Sequence, residues 1–236
     1  MSDIDQLMEN ASTALAKMDY LECERLCLTA LTEAWQKRRW AYYARILMPL
    51  QESRRQRRMI AADGDIRLGT STLGDDPSTW LDKRRAACIV LTDPHGRAEA
   101  AALQEFARRN RRFVEVLLAD NPVDADHWML RSFAGPNVHV QVDAPPKTWR
   151  DQWLGTGDQI EVDRSPHKLE LHPSDWFLDA GEVLGDAALA AVDPQLKGEP
   201  RIEALQQCLL AVTDHEIIHQ RLGDVARKEK SESLKT

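Results

Sequence analysis

The apolar residues of this chain change their spacing twice, and that change constrains the fold more than any single motif does. Near the start, Leu7, Ala11, Leu15 and Met18 recur every three or four residues, the period of a helix with one buried stripe. A second helix is expected after Asp19, with Cys23, Leu26, Cys27, Ala30, Leu31 and Ala34 on one face. Asp19 and Glu22 have the Asp-x-x-Glu spacing of a capped helix start, where side-chain oxygens accept from orphan amides. Trp40, Ala44, Leu47 and Leu50 fit a third helical face, and Pro49 is expected to kink or restart it.

The run Ala14-Leu15-Ala16-Lys17-Met18-Asp19-Tyr20-Leu21-Glu22-Cys23, continuing to Ala30-Leu31, resembles a tetratricopeptide repeat over about residues 7–34. Asp19 and Tyr20 match the turn of that family, Cys23 its small residue, and Ala30-Leu31 the end of its second helix. Met18 stands where the family has a turn glycine. The resemblance implies a helical hairpin used to bind a protein partner. One repeat cannot bury its own face, so the hairpin is expected to pack on another part of the chain or on another chain.

The period then shifts. Residues 61–80 are punctuated by Gly64, Gly69, Gly74 and Pro77, with one short strand expected at Ile66–Leu68. Ala86–Leu91 is a continuous apolar run, as expected for a strand covered on both faces. Residues 97–111 read as a helix and Phe113–Leu118 as a second strand. A short helix is expected around Trp128, Met129 and Leu130, and Val138–Val142 is a third strand. This alternation predicts a small, three- or four-stranded, mainly parallel sheet. Residues 143–175 carry Pro145-Pro146, Gly155, Gly157, Pro166 and Pro173 and are expected to be irregular. Helical spacing returns from Ser174, on Trp176, Ala180 and Leu184, on Ile202, Leu205 and Leu209, and on Ile218, Leu222 and Val225.

Seven fewer cations than anions, 31 against 38, argue against sequence-blind binding of nucleic acid. Two local runs oppose that balance, Arg54-Arg55-Gln56-Arg57-Arg58 and Arg108-Arg109-Asn110-Arg111-Arg112. Each closes a predicted helix, where cations suit the negative end of the dipole, and a phosphate or acidic-partner patch is the alternative. No apolar run is long enough to cross a bilayer, and the polar start Met1–Asp5 is unlike a signal peptide. Cys23, Cys27, Cys88 and Cys208 read as buried thiols of a reducing, cytoplasmic compartment.

His215-Glu216-Ile217-Ile218-His219 resembles the zincin motif, in which His215 and His219 would hold zinc and Glu216 would activate water. The competing expectation is a Thr213-x-x-Glu216 capping box, with both histidines packed at the edge of the Ile218–Leu222–Val225 stripe. A second candidate is a crevice. Asp93, Asp120 and Asp143 each follow a predicted strand, with His95 beside the first, and three convergent carboxylates would suit Mg²⁺. Aspartate is also a common turn and cap residue. Trp149 and Trp153 flank the irregular segment as a candidate docking pair, or as packing for that loop. Dinucleotide-binding, phosphate-loop and nucleophile-elbow patterns are absent, and Gly69–Gly74 resembles a phosphate loop in composition alone.

The expected organisation is a tetratricopeptide-like helical region at 1–60, a small α/β region at 61–145, an irregular linker at 146–173, C-terminal helices at 174–228 and a polar tail at 229–236. The expected function is a non-enzymatic adaptor for a protein partner, without a cofactor. A Zn- or Mg-dependent hydrolase is the alternative.

Overall fold

The computed structural model describes residues 3–70, 77–120, 126–155, 157–158, 160–164 and 167–233. Three helices come first: α1 (Asp3–Ala16), α2 (Tyr20–Gln36) and α3 (Trp40–Ala62). Then follow β1 (Asp65–Leu68), the single turn α4 (Pro77–Trp80), β2 (Ala86–Leu91), α5 (Arg97–Arg109), β3 (Phe113–Asp120), β4 (His127–Arg131) and β5 (His139–Asp143). After a 3-10 turn at Lys147–Trp149 come β6 (Trp153–Leu154), β7 (Ile160–Arg164) and β8 (His167–Leu171). The chain ends in α6 (Pro173–Ala190), α7 (Gly198–Ala211) and α8 (Glu216–Ser233). No helix among the described residues is long and apolar enough to cross a membrane. The chain divides into two compact units, residues 1–57 with 188–236, and residues 58–187, so the division falls inside α3 and α6.

The first unit is helical. α1 and α2 form the expected hairpin, and small side chains dominate the buried face: Ala11 and Ala14 from α1, Cys23, Cys27, Ala30 and Ala34 from α2. The turn between them is a Schellman closure. The Asp19 amide donates to the Ala14 carbonyl and the Met18 amide to Leu15, both at 2.9 Å. This geometry needs a left-handed residue after the helix, and Met18 supplies it at φ 59°. The same pair of bonds closes α2, with Arg38 at φ 50°, and α5, with Arg111 at φ 51°. All three positions are occupied by side chains where glycine is the low-cost choice. Asp19 caps α2 through the Glu22 amide at 3.2 Å, while the Glu22 carboxylate is held by Arg25 at 2.8 Å. α3 runs unbroken through Pro49, whose carbonyl accepts from the Cys23 thiol at 3.7 Å.

The second unit holds a six-stranded mixed sheet in the order β5-β4-β3-β2-β1-β6. The expected three- or four-stranded, mainly parallel sheet is therefore overturned. Among the described strands, the β1–β2 and β2–β3 pairs are parallel, and the β3–β4, β4–β5 and β1–β6 pairs are antiparallel. The physical reason lies in β4, where a short helix was expected. Trp128 and Leu130 are buried while Met129 is exposed, the period of a strand with one covered face. The expected linker also contains structure: β6 adds an edge to β1, and β7 pairs with β8 as a separate two-stranded sheet. β2 is buried along nearly its whole length, as its apolar run predicts. Ile89, Leu91, Val116 and Leu118 pack with Leu103 of α5 and with Trp80 and Leu81.

Candidate functional site

The His215–His219 string sits at the start of α8, in the helical unit, and both imidazoles are buried at 1% and 2% exposure. α8 begins at Glu216, so His215 is the cap: its Nδ1 accepts from the Ile218 amide at 3.4 Å. The helix start lies two residues beyond that expected from a Thr213 cap, and Thr213 instead serves through its carbonyl as an acceptor. His219 Nε2 lies 3.0 Å from it, and Arg54 donates to it at 2.9 Å. With a carbonyl as partner, His219 carries its proton on Nε2, and among the described residues its Nδ1 has no hydrogen-bond partner. Burial and the Arg54 charge pull the His219 pKa down to about 4. Glu216 is on the exposed side of the helix start. Among the described residues, no three His, Cys, Asp or Glu side chains are grouped to hold a metal ion.

Arg54 belongs to a buried ion cluster that sequence reasoning treated as a helix-end charge run. Glu24 of α2 bonds Arg54 Nε at 2.8 Å through one oxygen and Arg57 through the other, with all three side chains at most 10% exposed. Desolvation pushes the Glu24 pKa up, and the two guanidiniums outweigh it, leaving the carboxyl below its ordinary value. This cluster joins α2, α3 and the α7–α8 connection within one unit.

The carboxylates of the predicted crevice do reach one end of the sheet. β3 is antiparallel to β4 and β4 to β5, so β2, β3 and β5 run in the same direction; Asp93 lies two residues beyond β2, and Asp120 and Asp143 end β3 and β5. β4 separates the last two, and each has a partner within the sheet. Asp120 pairs with Arg131 at 2.7 Å, and Asp143 lies opposite His127 at 3.2 Å. His95 is buried edge-on against Trp80 at 5.2 Å, and among the described residues neither His95 Nε2 nor Trp80 Nε1 has a hydrogen-bond partner. Trp149 is buried, and half-buried Trp153 lies under the Arg84 guanidinium, 3.6 Å from its ring centre. The phosphate-loop-like residues 71–74 lie outside the described residues.

Two surface features remain, one not singled out from the sequence and one that includes Asn110, Arg111 and Arg112 of the second basic run. In the helical unit, Leu28, Leu31, Thr32 and Trp35 of α2 and Gln206 of α7 line a cleft of about 240 Å³. Its walls are held from behind. Gln206 donates to the buried Tyr43 hydroxyl, and Trp40 packs edge-on against Trp35 at 5.2 Å. Leu28 and Leu210 are 38% and 46% exposed, and Leu210 lies one turn beyond Gln206 on α7. In the sheet unit, a cleft of about 580 Å³ is lined by Asp82, Lys83, Arg84, Arg85, Asn110, Arg111 and Arg112. It lies at the amino ends of β2 and β3, opposite the aspartates. Arg111-Arg112 is legible in the sequence as part of a basic run, whereas Lys83-Arg84-Arg85, which stands directly before the neighbouring strand, was missed there.

Comparison with family models, with curated proteins and with solved structures finds no significant match for this chain.

Proposed function

We propose that this chain is a non-enzymatic binding protein that docks a partner protein on its helical unit. The observation that carries this reading is the α2–α7 cleft, where exposed Leu28 and buried Leu31 meet Trp35 beside Gln206. Partly exposed leucines around a small pre-formed apolar hollow suit an apolar anchor on a partner's helix or extended segment. Trp35 and Gln206 are braced by Trp40 and Tyr43, so docking costs little side-chain ordering. The tetratricopeptide-like turn at Met18–Tyr20 is consistent with a hairpin used for binding. The residues of the zincin-like string support the same reading from another side. His215 caps α8, and His219 donates to Thr213, so both imidazoles have positions in the helical packing.

The test is a binding measurement on a partner captured with the wild-type chain, purified and titrated. Leu28→Asp and Leu210→Asp are each expected to weaken that complex at least about tenfold, the loss of a packed apolar anchor. Met48→Asp, at a site 76% exposed and outside the cleft lining, is expected to leave it unchanged. A purified partner that binds all three variants equally would remove the α2–α7 face from consideration.

A further inference from the structure

We infer that the cleft at the amino ends of β2 and β3 is a binding site for a small ligand carrying several phosphate groups. Among the described residues that line it, five are cations, Lys83, Arg84, Arg85, Arg111 and Arg112, and one is a carboxylate, Asp82. This concentration stands in a chain of formal charge −7.

The fold forces the cations together. β2 and β3 are parallel neighbours with Ala86 opposite Phe113, so the residues before each strand come side by side. The Phe113 amide donates to the Arg85 carbonyl at 2.8 Å, and the Arg112 guanidinium to the Arg84 carbonyl at 2.7 Å. Arg111 is placed by the left-handed closure of α5, which turns the chain into β3. Arg84 forms a rigid wall, paired with Asp65 at 2.8 Å and stacked on Trp153. Lys83, Arg85 and Arg111 are exposed at the rim. Asp65 offsets Arg84 and Asp82 stands in the lining, and the remaining excess of cations gives the cleft a positive field that favours an anion.

Arginine forks recognise phosphate oxygens in pairs, which a point charge cannot do. The volume lies within the range of small-molecule sites. The cations are clustered at two strand starts, not drawn out in the stripe that tracks a nucleic-acid backbone. The net negative charge of the chain repels a long polyanion, yet it is screened beyond roughly 8–10 Å for a short one seated in the cleft.

The experiment is calorimetric titration of the full chain with inorganic tripolyphosphate in about 0.1 M salt, with orthophosphate and a short single-stranded oligonucleotide as comparison probes. Saturable binding of tripolyphosphate, stronger than that of orthophosphate, is expected. The double variant Lys83→Ala/Arg85→Ala alters exposed side chains and is expected to keep the circular dichroism spectrum. It should weaken binding at least about tenfold, the loss of a charge-assisted hydrogen bond. Arg108→Ala, at an exposed residue paired with Glu105 outside the lining, should leave binding unchanged. Absence of saturable binding overturns the inference. So does equal weakening in Arg108→Ala, which would indicate a diffuse field, or tighter binding of the oligonucleotide through the same residues, which would indicate a nucleic-acid surface.

Discussion

Glu24→Ala should destabilise the helical unit more than any substitution of a surface charge. Glu24 is 7% exposed, and its two oxygens hold Arg54 and Arg57, whose side chains are 8% and 6% exposed. Deleting the carboxylate leaves two guanidiniums buried, with Arg54 retaining the Thr213 carbonyl. Removing one partner of a buried pair costs about 3–5 kcal/mol, because the stranded charge keeps its desolvation penalty. For a chain of this size each kcal/mol moves the midpoint by roughly 2–4 °C, so the expected drop is about 6–20 °C. Thermal and urea unfolding followed by circular dichroism measure both quantities. Arg55→Ala, at a side chain 61% exposed and paired with Glu52, is the control and should cost less than about 1 kcal/mol. Replacing the whole cluster, Glu24→Leu with Arg54→Met and Arg57→Met, should recover much of the loss, since apolar residues of similar volume carry no desolvation penalty. If Glu24→Ala cost less than about 1 kcal/mol, the argument that these charges are desolvated and mutually dependent would fail. Because Glu24 lies on α2, one turn before Leu28, the same variant should also weaken partner binding.

Acid should act on the same region through His219. Its folded pKa of about 4 lies below the ordinary 6.5, so the unfolded chain takes up the proton first. Stability is therefore complete above pH 6.5 and falls by up to about 3 kcal/mol as pH drops toward 4, and a His219→Gln variant should show a correspondingly flatter unfolding profile between those limits. Met18→Gly should stabilise the chain by roughly 0.5–1.5 kcal/mol in urea titrations, since φ 59° strains methionine and not glycine; a loss of stability would contradict the Schellman assignment. Gly64→Ala should lower the melting temperature clearly, because a Cβ there would lie 2.8 Å from Ala86 Cβ and closer still to its carbonyl. An unchanged melting point would refute that close approach at the start of β2. Elemental analysis of the purified chain should give no stoichiometric zinc, and Glu216→Gln should fold as the parent does; zinc lost on His219→Ala would restore the hydrolase reading.

The helical hairpin, the Asp19 cap and the buried run of β2 were legible because each depends on residues close together in sequence. Spacing sets which face is apolar, and a cap needs only the next turn. β4 was misread because five residues around Trp128 fit a helix or a strand equally well until a neighbouring strand supplies hydrogen bonds. The hairpin of β7 and β8 and the edge strand β6 were missed for the same reason: they are short, and pairing defines them. The zincin-like string shows the limit from the other side. Its spacing correctly puts two histidines one turn apart, but only the packed chain brings the Thr213 carbonyl and Arg54 to His219.

Local order of residues determined the helices, their stripes and the apolar strand of this protein. Which charges meet was decided only by tertiary structure, because Coulomb forces act through space. Glu24 finds Arg54 and Arg57 about thirty positions away, and parallel register sets Lys83–Arg85 beside Arg111 and Arg112.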